Sequence, residues 1–139
     1  MAIETSVSYL LAKVGNAHRK LIEERAREIG LHAGQLFVLL ELWKSDGLRQ
    51  IDLANRLSVT AATVNKTIGG LIGNDYVTRL EFEDDARSTR ICLTPKGRKV
   101  RAEVEAAWNK VEGQTLGGLT DAEETMLKQL LPKLLVEVI

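Results

Sequence analysis

The chain has 139 residues, 45% hydrophobic and 4% aromatic, and its 19 basic side chains balance 19 acidic ones. That length suits one domain with a buried core, and so few aromatic rings exclude a broad base-stacking surface for single strands. A net charge of zero counts against nucleic-acid binding until it is located: residues 44–101 hold 11 basic and 7 acidic side chains, whereas residues 102–139 hold 3 and 7, so a basic segment adjoins an acidic tail.

Cys92 is the single cysteine, which excludes an intrachain disulfide framework and fits a reducing compartment. The first twenty residues lack the basic and continuous apolar regions of a secretory signal, and no apolar run reaches membrane-spanning length. The expectation is a soluble, cytoplasmic chain with no membrane partner.

From Ser6 to about Ile29, the residues Val7, Leu10, Leu11, Val14, Ala17 and Leu21 recur at three- and four-residue spacing. This predicts a long amphipathic helix ended by Gly30. Leu31 to Trp43 resumes a helical pattern through Leu36, Phe37, Leu39 and Leu40, with Asp46-Gly47 as its stop. Gln50 to Leu57 predicts a short helix on Ile51, Leu53, Ala54 and Leu57; Ser58-Val59-Thr60 is a turn, and Thr60 suits the N-cap of the helix that follows.

In residues 61–73, Val64, Ile68, Leu71 and Ile72 share one helical face with Ala61 beside them. The other face carries Ala62, Thr63, Lys66, Gly69, Gly70 and Gly73. Helical glycines cost about 1 kcal/mol each against alanine, and on this reading the core needs none of them. Two explanations stay open: close approach of another backbone, such as a DNA sugar-phosphate chain, or a frayed helix end.

Tyr76 to Leu80 alternates and is β-prone, residues 82–89 are dominated by charge, and Arg90 to Leu93 returns, which predicts a hairpin with a long exposed tip. Val77 with Ile91 or Leu93 can face the core, leaving Arg79, Arg90 and Cys92 on other faces. Thr94-Pro95 opens a helix, threonine as cap and proline first, running to about Gly113 or Leu116. Thr120 to Glu123 is a capping box that opens a last helix with Met126, Leu127, Leu130, Leu131, Leu134, Leu135 and Val138 on one side and Pro132 as a weak point. The fold class is therefore mainly α with a small β-hairpin wing, a helix-turn-helix followed by a β-ribbon.

Gly30 to Gln35, Asp52 to Leu57, Leu71 to Arg79, Asp85-Ala86-Arg87 and Leu93 to Gly97 occur in an order and spacing that resemble the MarR family of winged-helix regulators. The similarity covers most of the chain. It implies a homodimer in which residues 1–30 and 102–139 form dimerisation helices and residues 31–101 form the winged-helix DNA-binding lobe. It further implies a repressor on a pseudo-palindromic site in double-stranded DNA and a small-molecule effector, often aromatic, in a cleft between the dimer helices and the reader. Site residues carried over onto matching positions are Thr60, Ala61, Ala62, Thr63, Asn65 and Lys66 in the recognition helix and Asp85 and Arg87 in the wing. Asp75 stands where the family often has glycine, and Asn74-Asp75 can still turn left-handed at some cost.

Arg87 reads as a minor-groove probe oriented by Asp85 through a charge-assisted hydrogen bond, and Arg90 as a phosphate contact. Cys92 reads as structural, because a lone strand cysteine brings neither a lowered pKa nor access. His18 and His32 with one cysteine make no ligand spacing, so neither a metal nor a cofactor is expected, and His32 reads as a helix cap or pocket neighbour. The residues form no nucleophile–base pair, phosphate loop or paired carboxylates, so no enzyme is expected. The competing class is a winged-helix module that binds protein without DNA.

Overall fold

The computed structural model describes residues 1–83 and 88–138. A 3₁₀ turn at Ile3–Thr5 leads to α1 (Val7–Glu28), then come α2 (Ala33–Lys44), β1 (Leu48–Arg49), α3 (Gln50–Leu57), α4 (Ala61–Gly73), β2 (Val77–Glu81), β3 (Thr89–Leu93), α5 (Pro95–Lys99), α6 (Arg101–Leu116) and α7 (Asp121–Val138). Among the described residues no helix is long and apolar enough to cross a membrane.

The helix ends follow local chemistry. Ser6 Oγ accepts the Tyr9 N–H at 3.2 Å to open α1, and Gly30 (φ 77°) reverses the chain after it, as glycine does at low steric cost. Glu23 of α1 reaches over the start of α2: its Oε2 accepts the Ala33 N–H at 2.7 Å and its Oε1 lies 2.7 Å from His32 Nδ1. The negative carboxylate thus meets two features of the α2 N-terminus that favour it, an orphan amide and the positive end of the dipole. At α7, Thr120 and Glu123 exchange the two bonds of a capping box, at 3.2 and 2.9 Å.

One core joins most elements. Leu36, Leu39 and Leu42 from α2 meet Leu53 from α3, Ile68 and Leu71 from α4, Val77 and Ile91 from the sheet and Val104 from α6. α1 contributes only its C-terminal half, through Ile22 and Ala26, and Arg25 holds it to α6 by two bonds to Gln114 Oε1 at 2.9 and 2.7 Å. Val7, Leu10, Leu11 and Val14 at the far end of α1, and Met126, Leu130, Leu131, Leu134 and Leu135 of α7, stay exposed. Pro132 sits inside α7 without ending it.

The sheet has three antiparallel strands in the order β1-β3-β2, one more than the expected hairpin. Leu48 pairs with Ile91 and Arg49 with Arg90, while Val77 pairs with Leu93 and Arg79 with Ile91. Burial corrects another expectation, since Cys92 is 9% exposed alongside Ile91 and Leu93. Gly47 lies beside the new strand, where an added β-carbon would stand 3.9 Å from Cys92 Sγ. Burial and then the Asp46 carboxylate push the Cys92 thiol up, which makes it a poor nucleophile at neutral pH.

The helix expected from Pro95 onward is interrupted at Val100, which caps α5 and leads directly into α6. Gly97 lies against β2 so closely that a β-carbon there would collide with the Tyr76 carbonyl oxygen. Around it, Thr94 N–H donates to Tyr76 O at 3.1 Å, Trp43 Nε1–H donates to Gly97 O at 3.0 Å, and Lys96 Nζ stands 4.4 Å over the Tyr76 ring.

Candidate nucleic-acid interface

The candidate reader is α3, the turn and α4. Ser58 adopts a left-handed conformation (φ 53°) to make the turn, and Thr60 Oγ1 accepts the Thr63 N–H at 3.1 Å and contacts Thr63 Oγ1 at 2.9 Å. Thr60 is therefore the expected cap. Val64, Ile68 and Leu71 turn inward, leaving Ala61, Ala62, Thr63, Asn65 and Lys66 exposed. Those five residues and Thr60 form one surface whose tips are small or polar, a profile that a groove can admit. At its far end α4 closes through Asp75, whose φ of 62° is the left-handed turn expected of Asn74-Asp75.

The glycines of α4 divide. A β-carbon on Gly69 or Gly73 would meet open space, so those two leave the outer face bare. Gly70 is different: a β-carbon there would lie 2.7 Å from Gln35 Nε2. Gln35 is 7% exposed and its Oε1 is tied to the His32 N–H at 2.9 Å. The expectation that no interior contact needs these glycines is thus wrong for Gly70, where α2 crosses α4. The helix continues through Gly73.

Lys66 stands on the border of two surfaces. It is exposed beside Asn65 and it lines a cleft of about 490 Å³ with Gly30, His32, Gln35, Thr67 and Gly70. This cleft opens where the end of α1, the start of α2 and the outer side of α4 converge. Its polar lining is imidazole, amide, ammonium and hydroxyl, so it offers several donors to an anion, and the rest of the wall is apolar.

Arg90 is directed along the sheet: its Nε donates to Ser88 Oγ at 3.1 Å and its guanidinium lies 4.7 Å from the Phe82 ring centroid. With Phe82 N–H bonding Ser88 O at 2.9 Å, these contacts close the base of the wing. Asp85 and Arg87, expected at the wing tip, lie outside the described residues.

Two residues that the sequence did not single out stand beside this candidate surface. Gln50 opens α3 and Arg79 lies exposed on β2; Gln50 Nε2 donates to Asn65 Oδ1 at 3.1 Å, and Arg79 Nη2 stands 3.4 Å from Asn65 Oδ1 and 3.5 Å from Gln50 Oε1. Beneath them, Asp52 takes Arg49 Nε at 3.0 Å and the Arg49 N–H at 3.3 Å. The side-chain bond from Arg49, against some burial, holds the Asp52 carboxyl below its usual range. Arg79 adds a cation to the helix surface that the helical wheel of α4 alone could not display.

Comparison with known proteins agrees with this geometry. A family model described as MarR family matches residues 31–89. The chain is 28% identical over 134 residues to the HTH-type transcriptional repressor Rv2887 of Mycobacterium tuberculosis, covering 96% of each. The solved structure of that relative in complex with salicylic acid superposes with a TM-score of 0.78, covering 96% of this chain and 99% of that one. BpsR of Bordetella bronchiseptica, solved to address regulation of its DNA binding by 6-hydroxynicotinic acid, is 25% identical with a TM-score of 0.84 over 96% and 97% of the two chains. A probable transcriptional regulator from Pseudomonas aeruginosa, at 24% identity, shares the fold with a TM-score of 0.85 over 96% and 99%.

Proposed function

We propose that the chain is a winged helix-turn-helix transcriptional regulator of the MarR family, DNA-binding and non-catalytic, which acts in the cytoplasm as a homodimeric repressor released by an aromatic acid. The observation that carries the reading is the outer face of α4. Small and polar side chains from Thr60 to Lys66 share one exposed surface, with Arg79 beside them and the wing beyond. On this reading α4 enters a major groove, Asp85 and Arg87 serve the adjacent minor groove, and Arg90 steadies the wing or meets a phosphate.

Burial supports a dimer. The apolar residues at the start of α1 and along α7 are exposed among the described residues, and a second copy that interlocks residues 1–30 and 102–139 would bury both stripes. The remaining lobe, residues 31–101, holds the basic excess and would face one half of a pseudo-palindromic duplex.

The effector reading draws on the relatives solved with or studied alongside salicylic and 6-hydroxynicotinic acids. An aromatic carboxylate in the 490 Å³ cleft would engage Lys66 and the Gln35 amide. Ligand that prefers a Lys66 turned into the cleft lowers DNA affinity by its differential binding, and DNA lowers ligand affinity equally.

Fluorescence anisotropy with duplexes selected from a random library tests this. Binding should weaken steeply with salt, with a log–log slope of several units, and salicylate should raise the apparent Kd. Arg87→Ala should cost roughly tenfold or more in affinity while light scattering still reports a dimer. Absent or salt-insensitive duplex binding would favour a protein-binding winged helix.

A further inference from the structure

We propose that Asn65 addresses its base pair solely as a hydrogen-bond donor, because Arg79 and Gln50 occupy its acceptor. This rests on the proposed entry of α4 into the major groove. The three residues come from three elements: Gln50 opens α3, Asn65 lies midway along α4, and Arg79 lies on β2.

An asparagine side chain ends in one carbonyl oxygen and one NH₂, and half a turn exchanges them. The guanidinium of Arg79 carries N–H donors and no acceptor. The atoms of Asn65 and Gln50 that face it, at 3.4 and 3.5 Å, are therefore both oxygens, since turning either amide would set N–H against N–H. With the Gln50 oxygen turned to Arg79, its Nε2 is directed to Asn65 Oδ1 at 3.1 Å. Asn65 Oδ1 thus receives two donors, one for each lone pair. Its Nδ2 donates to none of the described residues, and the side chain is exposed.

The usual asparagine reading of adenine uses both ends of the amide, accepting from N6 and donating to N7. With Oδ1 engaged, that mode is closed. Guanine offers two adjacent acceptors, O6 and N7, to the two N–H groups of Nδ2, whereas adenine offers N7 alone beside its N6 donor, thymine O4 alone and cytosine only its N4 donor. The base pair facing Asn65 is therefore G·C, met through guanine, rather than A·T. Arg79 and Gln50 are positioning residues in this arrangement, acting on the base through Asn65.

Selection of bound duplexes from a random library by the full chain, its Asn65→Ala variant and its Arg79→Met variant tests the inference, with thermal unfolding to verify that each variant is folded. The half-site position read by Asn65 is the one whose preference falls by roughly tenfold in Asn65→Ala. A G·C pair at that position in the parent chain supports the inference. An A·T pair there, the mark of the two-ended amide reading, overturns it while leaving DNA binding through α4 intact. If no position changes in Asn65→Ala, both the inference and the placement of α4 against the bases fail.

Arg79→Met frees the amide to rotate, so adenine should become admitted at that one position. A preference unchanged there, with affinity weakened evenly across all sequences, would make Arg79 a phosphate contact and overturn its positioning role. Gln50→Ala gives the same readout should Arg79→Met fail to fold.

Discussion

Replacing Gly97 with alanine should destabilise the chain although the residue lies in a helix, where alanine is ordinarily favoured. The added β-carbon would point at the Tyr76 carbonyl oxygen, a backbone atom fixed by the Thr94 N–H at 3.1 Å and the Thr94 hydroxyl at 3.1 Å. Overpacking of this kind costs about 1–3 kcal/mol. Displacing α5 also strains the Thr94 and Trp43 hydrogen bonds, worth about 1 kcal/mol each, and the helical preference of alanine returns up to about 1 kcal/mol. The net expectation is a loss of about 2–4 kcal/mol on these magnitudes. Urea unfolding at fixed protein concentration, followed by tryptophan fluorescence, measures it, because the Trp43 indole bonds the Gly97 carbonyl. A change below about 0.5 kcal/mol, the range of ordinary surface substitutions, would refute the claim that α5 is held against the Tyr76 backbone.

Gly69→Ala points into open space and should raise stability by about 0.5–1 kcal/mol yet lower operator affinity in the same anisotropy assay; unchanged affinity would remove close DNA approach as the reason for that glycine. Glu23 is partly buried, which opposes ionisation, but the Ala33 amide, His32 and Arg27 outweigh this and lower its pKa. Asp52 is lowered mainly by Arg49. Both carboxylates therefore stabilise the fold above the unfolded values near about 4, and the contribution disappears as pH falls through their lower folded values. Equilibrium unfolding between about pH 6 and 3 should show that decline, and Glu23→Gln should flatten it; an identical pH profile for the variant would contradict the cap. Leu131→Glu, on the exposed apolar side of α7, should leave monomers in sedimentation analysis, and persistent dimers would place the interface elsewhere. Cys92, buried with a raised pKa, should resist iodoacetamide at neutral pH until the chain is unfolded, and rapid native labelling would count against its burial.

The periodicity of α1, α2 and α4 and the caps at Thr60, Thr94 and Thr120 were readable from spacing, because each depends on residues within one or two turns. β1 was not, since two residues display no period and Leu48 becomes a strand residue only by pairing with Ile91. The same limit applies to Gly70, whose neighbour Gln35 lies on another helix, and to Glu23, which in sequence resembles any solvated glutamate of a helix. Of the interface, the α4 surface was legible from its polar face, while Gln50 and Arg79 entered only when folding set α3 and β2 against Asn65. An exposed arginine on an alternating strand is the one sequence signal that pointed at Arg79, and it does not say which helix lies next to it.

Glu23 also sets a length scale for α1. It lies sixteen residues beyond Val7, about 24 Å along the helix axis at 1.5 Å per residue, and there it accepts the first amide of α2 at 2.7 Å. Over that length a difference of about 5° in the angle of α1 corresponds to about 2 Å at its far end. The exposed apolar end of α1 is thus the part of the helix whose position depends most on how its other end is fastened.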